Sequence, residues 1–173
     1  MLLFFDDEWN ARSSIVSYGH DIEAAWLIQE AAEMICDESL ALKSKNRSIV
    51  LVNAASEGLD GDGGLWYEYD SSTNDLIKQK HSWPQAEAMI GFFNAWQLTG
   101  DEKYLQHSLR SWEFVKKYMH DRKCGEWFWG VNEDYSPMIN EDKVGIWKCP
   151  YHNSRACIEI MNRIRNFCVI HSD

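Results

Sequence analysis

Three stretches of the chain set histidine, tryptophan and acid side chains directly ahead of apolar runs. They are Tyr18-Gly19-His20-Asp21-Ile22-Glu23, Ser82-Trp83-Pro84-Gln85-Ala86-Glu87 and Trp147-Lys148-Cys149-Pro150-Tyr151-His152-Asn153. The key positions, His20, Trp83 and His152, lie 63 and 69 residues apart, an interval that fits two helices with their connections. Helices that start at that interval and alternate in direction all begin on one side of a domain. This gathers two imidazoles, two carboxylates and several indoles into one cleft. Imidazole takes up and returns protons near working pH, and flat indole faces suit the C–H faces of a pyranose ring. The pattern points to acid/base chemistry on a sugar.

Each residue also has a plainer reading. His20 and His152 can cap helices or fill core. Glu23 follows His20 by three residues, on the same helix face, where it can orient the imidazole, accept a hydroxyl proton, or merely serve the helix dipole. Glu87 falls in a largely apolar run, where a carboxylate is costly unless paired or lining a cavity; that favours a site role. Trp83 and Trp147 can stack on a sugar or pack against neighbouring rings. Lys148 and Arg155 can donate to sugar hydroxyls but read rather as solvated cations, and His81, His107, His120 and His171 as surface residues.

Residues 1–20 read as a short apolar strand and a polar loop. Helices are expected over about 21–36, with His20 or Asp21 near the N-cap, and over 46–57, although Ile49–Val52 alone would also suit a buried strand. Four glycines between 58 and 64 break the chain before an extended segment at 65–69. Pro84 opens a helix over 84–99 that is apolar nearly all round. The helix expected over 101–120 is striped instead, with Leu105, Leu109, Trp112, Val115 and Met119 on one side. A long loop, 121–149, leads to a last helix over 152–166 with a stripe of Cys157, Ile160, Met161 and Ile164. An enclosed helix joined by a tight turn to a striped one is the inner/outer alternation of helical hairpins set around an axis. The fold class is therefore all-α, a toroid with short β-like segments in its loops.

At 173 residues with 45% hydrophobic content, the chain matches a single domain, 1–173. Its net charge of −10 argues against nucleic acid or an anionic membrane as partner. Five cysteines without CxxC or zinc spacing indicate reduced thiols and a cytoplasmic setting. No stretch has the apolar length of a membrane span, and Met1–Phe5 lacks the basic flank of a signal peptide. No spacing indicates a metal site or a phosphate loop, so no cofactor is expected.

Together the three motifs resemble the N-acylglucosamine 2-epimerase superfamily, and within it cellobiose 2-epimerases, from about residue 2 to 165. That resemblance implies an (α/α)6 barrel of which this chain carries only the C-terminal half, about three of six hairpins. It further implies epimerisation at C2 of a reducing-end glucose, with His20 and His152 as the acid/base pair on a small-molecule sugar. N-acylglucosamine 2-epimerase and aldose–ketose isomerase chemistry are the sister readings, and a non-catalytic fragment that at most binds sugar is the third. The family's remaining site residues, another histidine and an arginine among them, belong to the half missing here. An N-terminal-half polypeptide or self-association would then cover the open edges. Ser82 stands where the family usually has a first tryptophan of a pair, and residues 167–173 match no pattern.

Overall fold

The computed structural model describes residues 1–170. It orders the chain as β1 (Ile15–Ser17), α1 (Tyr18–Met34), α2 (Glu38–Ser56), β2 (Glu68–Asp70), β3 (Asp75–Ile77), β4 (Lys80–His81), α3 (Ser82–Thr99), α4 (Glu102–Phe114), a π-helical turn (Val115–Met119), β5 (Gly130–Val131) and α5 (Tyr151–Ile170). Antiparallel β1–β2–β3 form one small sheet and β4–β5 another. Met1–Phe5 form no strand, only an isolated bridge from Phe5 to Ala11; the first strand is Ile15–Ser17, held by β2.

Helix α3 is the centre of the molecule. Its residues from Pro84 to Ala95 are all buried, because α1 and α5 flank it on two sides while α4 covers its back. α1 is covered in the same way by α2. Inner helices α1, α3 and α5 thus lie side by side, with outer helices α2 and α4 behind them. The inner three run in one direction, since their first turns meet at one end (His20, Trp83, His152) and Glu30, Asn94 and Arg163 meet at the other. α1 and α3 approach so closely that a Cβ on Gly91 would lie 2.5 Å from the Ile22 side chain. Fully buried Ile22, Ile90, Phe92 and Phe114 fill the space between the layers.

Among the described residues two complete hairpins and a fifth helix are present, in keeping with about three hairpins. α2 begins eight residues before the expected 46, where Asp37 caps it by accepting from the Leu40 amide at 2.9 Å. α4 turns inward on Tyr104, Ser108, Ser111 and Phe114, which leaves Leu109 and Trp112 of the expected stripe exposed. Small serines let α4 come close: Ser108 Oγ donates to Met89 O and Ser111 Oγ to Gly63 O.

α5 departs furthest from expectation. Its inward line is polar, running through His152, Arg155, Glu159 and Arg163, with Ala156 the buried apolar member. Met161 and Ile164 of the expected core stripe are instead 50% and 46% exposed, and neighbouring Ile158 is 59% exposed. Arg163 clamps the far ends of the inner helices, donating to Asn94 and Gln97 on α3, Glu159 on α5 and Glu30 on α1. Among the described residues no helix is long and apolar enough to cross a membrane. Cys36, Cys124, Cys149 and Cys157 carry free thiols. The expectation for His171 lies outside the described residues.

Candidate active site

Trp83 opens α3, and its indole lies against both histidines. The His20 ring meets it edge-on with centroids 4.8 Å apart, and the His152 ring is tilted to it at 5.6 Å. Gly19 makes room for this ring, because a Cβ there would lie 2.5 Å from its outer edge. Ser17, the N-cap of α1, uses its hydroxyl on the imidazole rather than on a backbone amide: Oγ lies 2.8 Å from His20 Nδ1. The sequence expected His20 or Asp21 nearer the cap; the helix starts at Tyr18 instead.

Glu87, one turn further along α3, has no exposed surface, and three donors satisfy its carboxylate. Trp26 Nε1 donates to Oε2 at 2.9 Å, while His152 Nδ1 and Arg155 Nη2 lie 2.7 Å and 2.6 Å from Oε1. An ion-paired carboxylate only accepts, so in this contact His152 Nδ1 is the donor. In the neutral ring Nε2 is then the lone-pair nitrogen, the tautomer that a buried acid selects in an oriented imidazole. Glu23 faces the same group, 4.0 Å from His152 Nδ1 and 2.8 Å from Arg155 Nη2.

Arg155 is therefore no solvated cation. It bridges Glu87 and Glu23 and lies over the Trp26 and Tyr151 rings, and despite its burial these acids hold its pKa above the ordinary value. Lys148 is also buried, with its ammonium 3.0 Å from Glu126. Ligand-type atoms of Glu23, Glu87 and His152 lie within 4.8 Å of one another, a grouping suited to a metal that the sequence spacing did not indicate. The Arg155 guanidinium already lies on both carboxylates there, so the cluster carries its own cation.

Trp147 stands 86% exposed at the rim of a hollow that Trp83, Trp127, Trp129 and His152 also line. His20, His152, Glu23, Glu87 and Trp83 thus come together at one end of the inner helices, with Trp147 at the edge. His81 is not a surface residue: it stacks on Tyr67 at 3.9 Å, and burial pushes its pKa down to about 4. His107 packs on Phe92, and burial lowers its pKa too; His120 is exposed, as expected. Sequence reasoning missed Arg155, Trp26 and Ser17 as parts of the cluster. Each is three residues from a candidate (His152, Glu23 and His20), the helical spacing that could have flagged them.

Helices paired around an axis with this cluster at their shared end define a known class. The chain belongs to the N-acylglucosamine 2-epimerase family, whose model matches residues 4–156, and its fold is a partial (α/α)6 barrel. A cellobiose 2-epimerase of Bacteroides fragilis is 45% identical over 159 residues, 92% of this chain and 41% of that protein. One from Ruminococcus albus is 41% identical over 93% of this chain and 41% of its own length. The crystal structure of a sugar epimerase from a ruminal bacterium superimposes with a TM-score of 0.90 at 39% identity, covering 94% of this chain and 42% of its own. The chain spans about two fifths of the length of these relatives.

Proposed function

We propose that the chain is the C-terminal portion of a carbohydrate 2-epimerase acting on the reducing-end glucose of a disaccharide such as cellobiose. Supporting this reading are the similarity to cellobiose 2-epimerases along nearly the whole chain and, above all, two imidazoles flanking one indole. In the open-chain aldose, one histidine removes the C2 proton and the C–H electron pair moves toward the C1 carbonyl, giving an enediolate. The other histidine returns a proton to the opposite face, which inverts C2. Each histidine alternates as base and acid. His152, with its proton fixed on Nδ1 by Glu87, presents Nε2 to carbon; Glu23 orients the pair and handles the ring-opening hydroxyl; Trp83 and Trp147 hold sugar faces. Hydrogen-bond donors for the enediolate oxygen come in part from helices that this chain lacks.

On this reading turnover requires the complementary helices, supplied by an N-terminal-half polypeptide, and the free thiols suit a cytoplasmic setting. The test pairs this chain with the preceding portion of the Bacteroides fragilis relative and follows conversion of cellobiose to glucosyl-mannose. Conversion should occur in the pair and vanish with His152→Ala. Turnover that survives His152→Ala would refute the role given to that residue.

A further inference from the structure

We propose that Arg155 is a positioning residue whose guanidinium keeps the Nε2 atom of His152 free of a proton. Its use to the enzyme rests on the epimerase reading, but the protonation state can be observed without turnover.

Two donors converge on a single oxygen, Glu87 Oε1: His152 Nδ1 at 2.7 Å and Arg155 Nη2 at 2.6 Å. That same Nη2 lies 2.8 Å from Glu23 Oε1, which is 4.0 Å from His152 Nδ1. Two carboxylates and one guanidinium therefore face the imidazole, from α1, α3 and its own helix. The guanidinium is tethered as well as paired. Its carbon lies 4.5 Å from the Tyr151 ring centroid and 5.0 Å from that of Trp26, and Nη1 donates to the Tyr151 hydroxyl at 2.6 Å. From the preceding loop, Lys148 is neutralised by Glu126, which also accepts from Asn153. His20 and His152 both lie against the Trp83 indole.

Removing the guanidinium leaves two outcomes. Facing two uncompensated carboxylates, the imidazole can take a second proton, which goes onto Nε2. Alternatively Glu87, buried without a cation, takes a proton and donates it to Nδ1, which forces the imidazole's own proton to Nε2. Either way a hydrogen occupies the position that must accept the C2 proton in the direction in which His152 acts as the base. Arginine suits the task because its charge persists at every working pH.

Nitrogen NMR of the labelled full chain reads the state of each ring atom. In the wild-type chain His152 should be the neutral tautomer with Nδ1 protonated at pH 7. Arg155→Gln should put a proton on Nε2, either as the other neutral tautomer or as the imidazolium. Arg155→Lys should restore most of the wild-type behaviour by restoring the charge. An Nε2 signal unchanged in Arg155→Gln would overturn the proposal. If that variant does not fold, Glu23→Gln, at a partly exposed position, decides: with one carboxylate fewer for the guanidinium to offset, Nε2 must stay free of a proton, and a protonated Nε2 in that variant ends the idea. Failure of the epimerase reading looks different, as a His152 that behaves as described in a completed barrel that leaves cellobiose untouched.

Discussion

A buried carboxylate with three donors is the most informative residue here. Glu87 is fully enclosed, yet Trp26, His152 and Arg155 meet its acceptor sites, so its burial is compensated where an unpaired charge would be severely costly. Glu87→Gln keeps the shape but puts an amide nitrogen at one of these positions, where it repels a donor. In the completed barrel this change should lower kcat by about 10–100-fold, the loss seen when an acid that orients a metal-bound imidazole is removed. Circular dichroism should show the fold retained; full activity in Glu87→Gln would remove the tautomer argument. His81 makes a separate, pH-dependent prediction. Burial lowers its pKa from 6.5 to about 4, so the unfolded chain binds more protons than the folded one between those values. Stability should therefore be level above pH 6.5, fall as the pH drops toward 4, and level off below. Thermal melts of wild type and His81→Phe at pH 7 and 4.5 should show a smaller pH-dependent loss in the variant, with roughly 3 kcal/mol as the upper limit of the difference.

Elements were legible from the sequence where one apolar pattern and one cap decided them. α3, apolar on all sides and started near Pro84, lies where expected, because nothing but enclosure suits it. α2 was half missed, since residues 38–45 have little apolar content and its start rests on the Asp37 cap. The inward face of α4 escaped notice because small serines allow close approach, whereas Leu109 and Trp112 look like core and are not. α5 shows the limit of such reasoning most clearly. Its polar line points inward because its partners are Glu23, Glu87, Glu30 and Asn94, at least 65 residues away in sequence. The grouping of His20, Trp83, Glu87 and His152 was nonetheless readable, because helices starting at even intervals share an end. At this scale Gly19 is the sensitive point. Gly19→Ala would set a methyl 2.5 Å from the Trp83 ring, pinned in turn by two imidazoles. The cost should be about 1–3 kcal/mol, in the range of overpacked cores, together with a changed indole fluorescence. An unaltered spectrum and melting point would show that Trp83 is free to move.

Across the whole molecule, the layers explain where apolar surface is left over. α1 has α2 behind it and α3 has α4, but among the described residues no helix covers α5 in that way. Ile158, Met161 and Ile164 remain about half exposed on that helix, and on the opposite side of the bundle Met34, Ile35, Leu42 and Val50 are exposed too. Patches of this kind mark contact surfaces or drive association. The relatives, with more than twice the length, have enough further chain to cover both edges. Two results follow from the same cause. Alone, the chain should associate with itself in a concentration-dependent way, and Ile158→Glu with Met161→Glu should shift light scattering toward monomer without unfolding, since neither side chain contributes to the core. With the preceding portion of a relative present, the wild-type chain should form a one-to-one complex by size exclusion, and the double variant should fail to do so. A wild-type chain that stays monomeric at high concentration and ignores the complementary polypeptide would mean that these edges are not interfaces at all. The half-exposed isoleucines would then have to be tolerated by water, and the contacts of α5 would lie along its polar inner line.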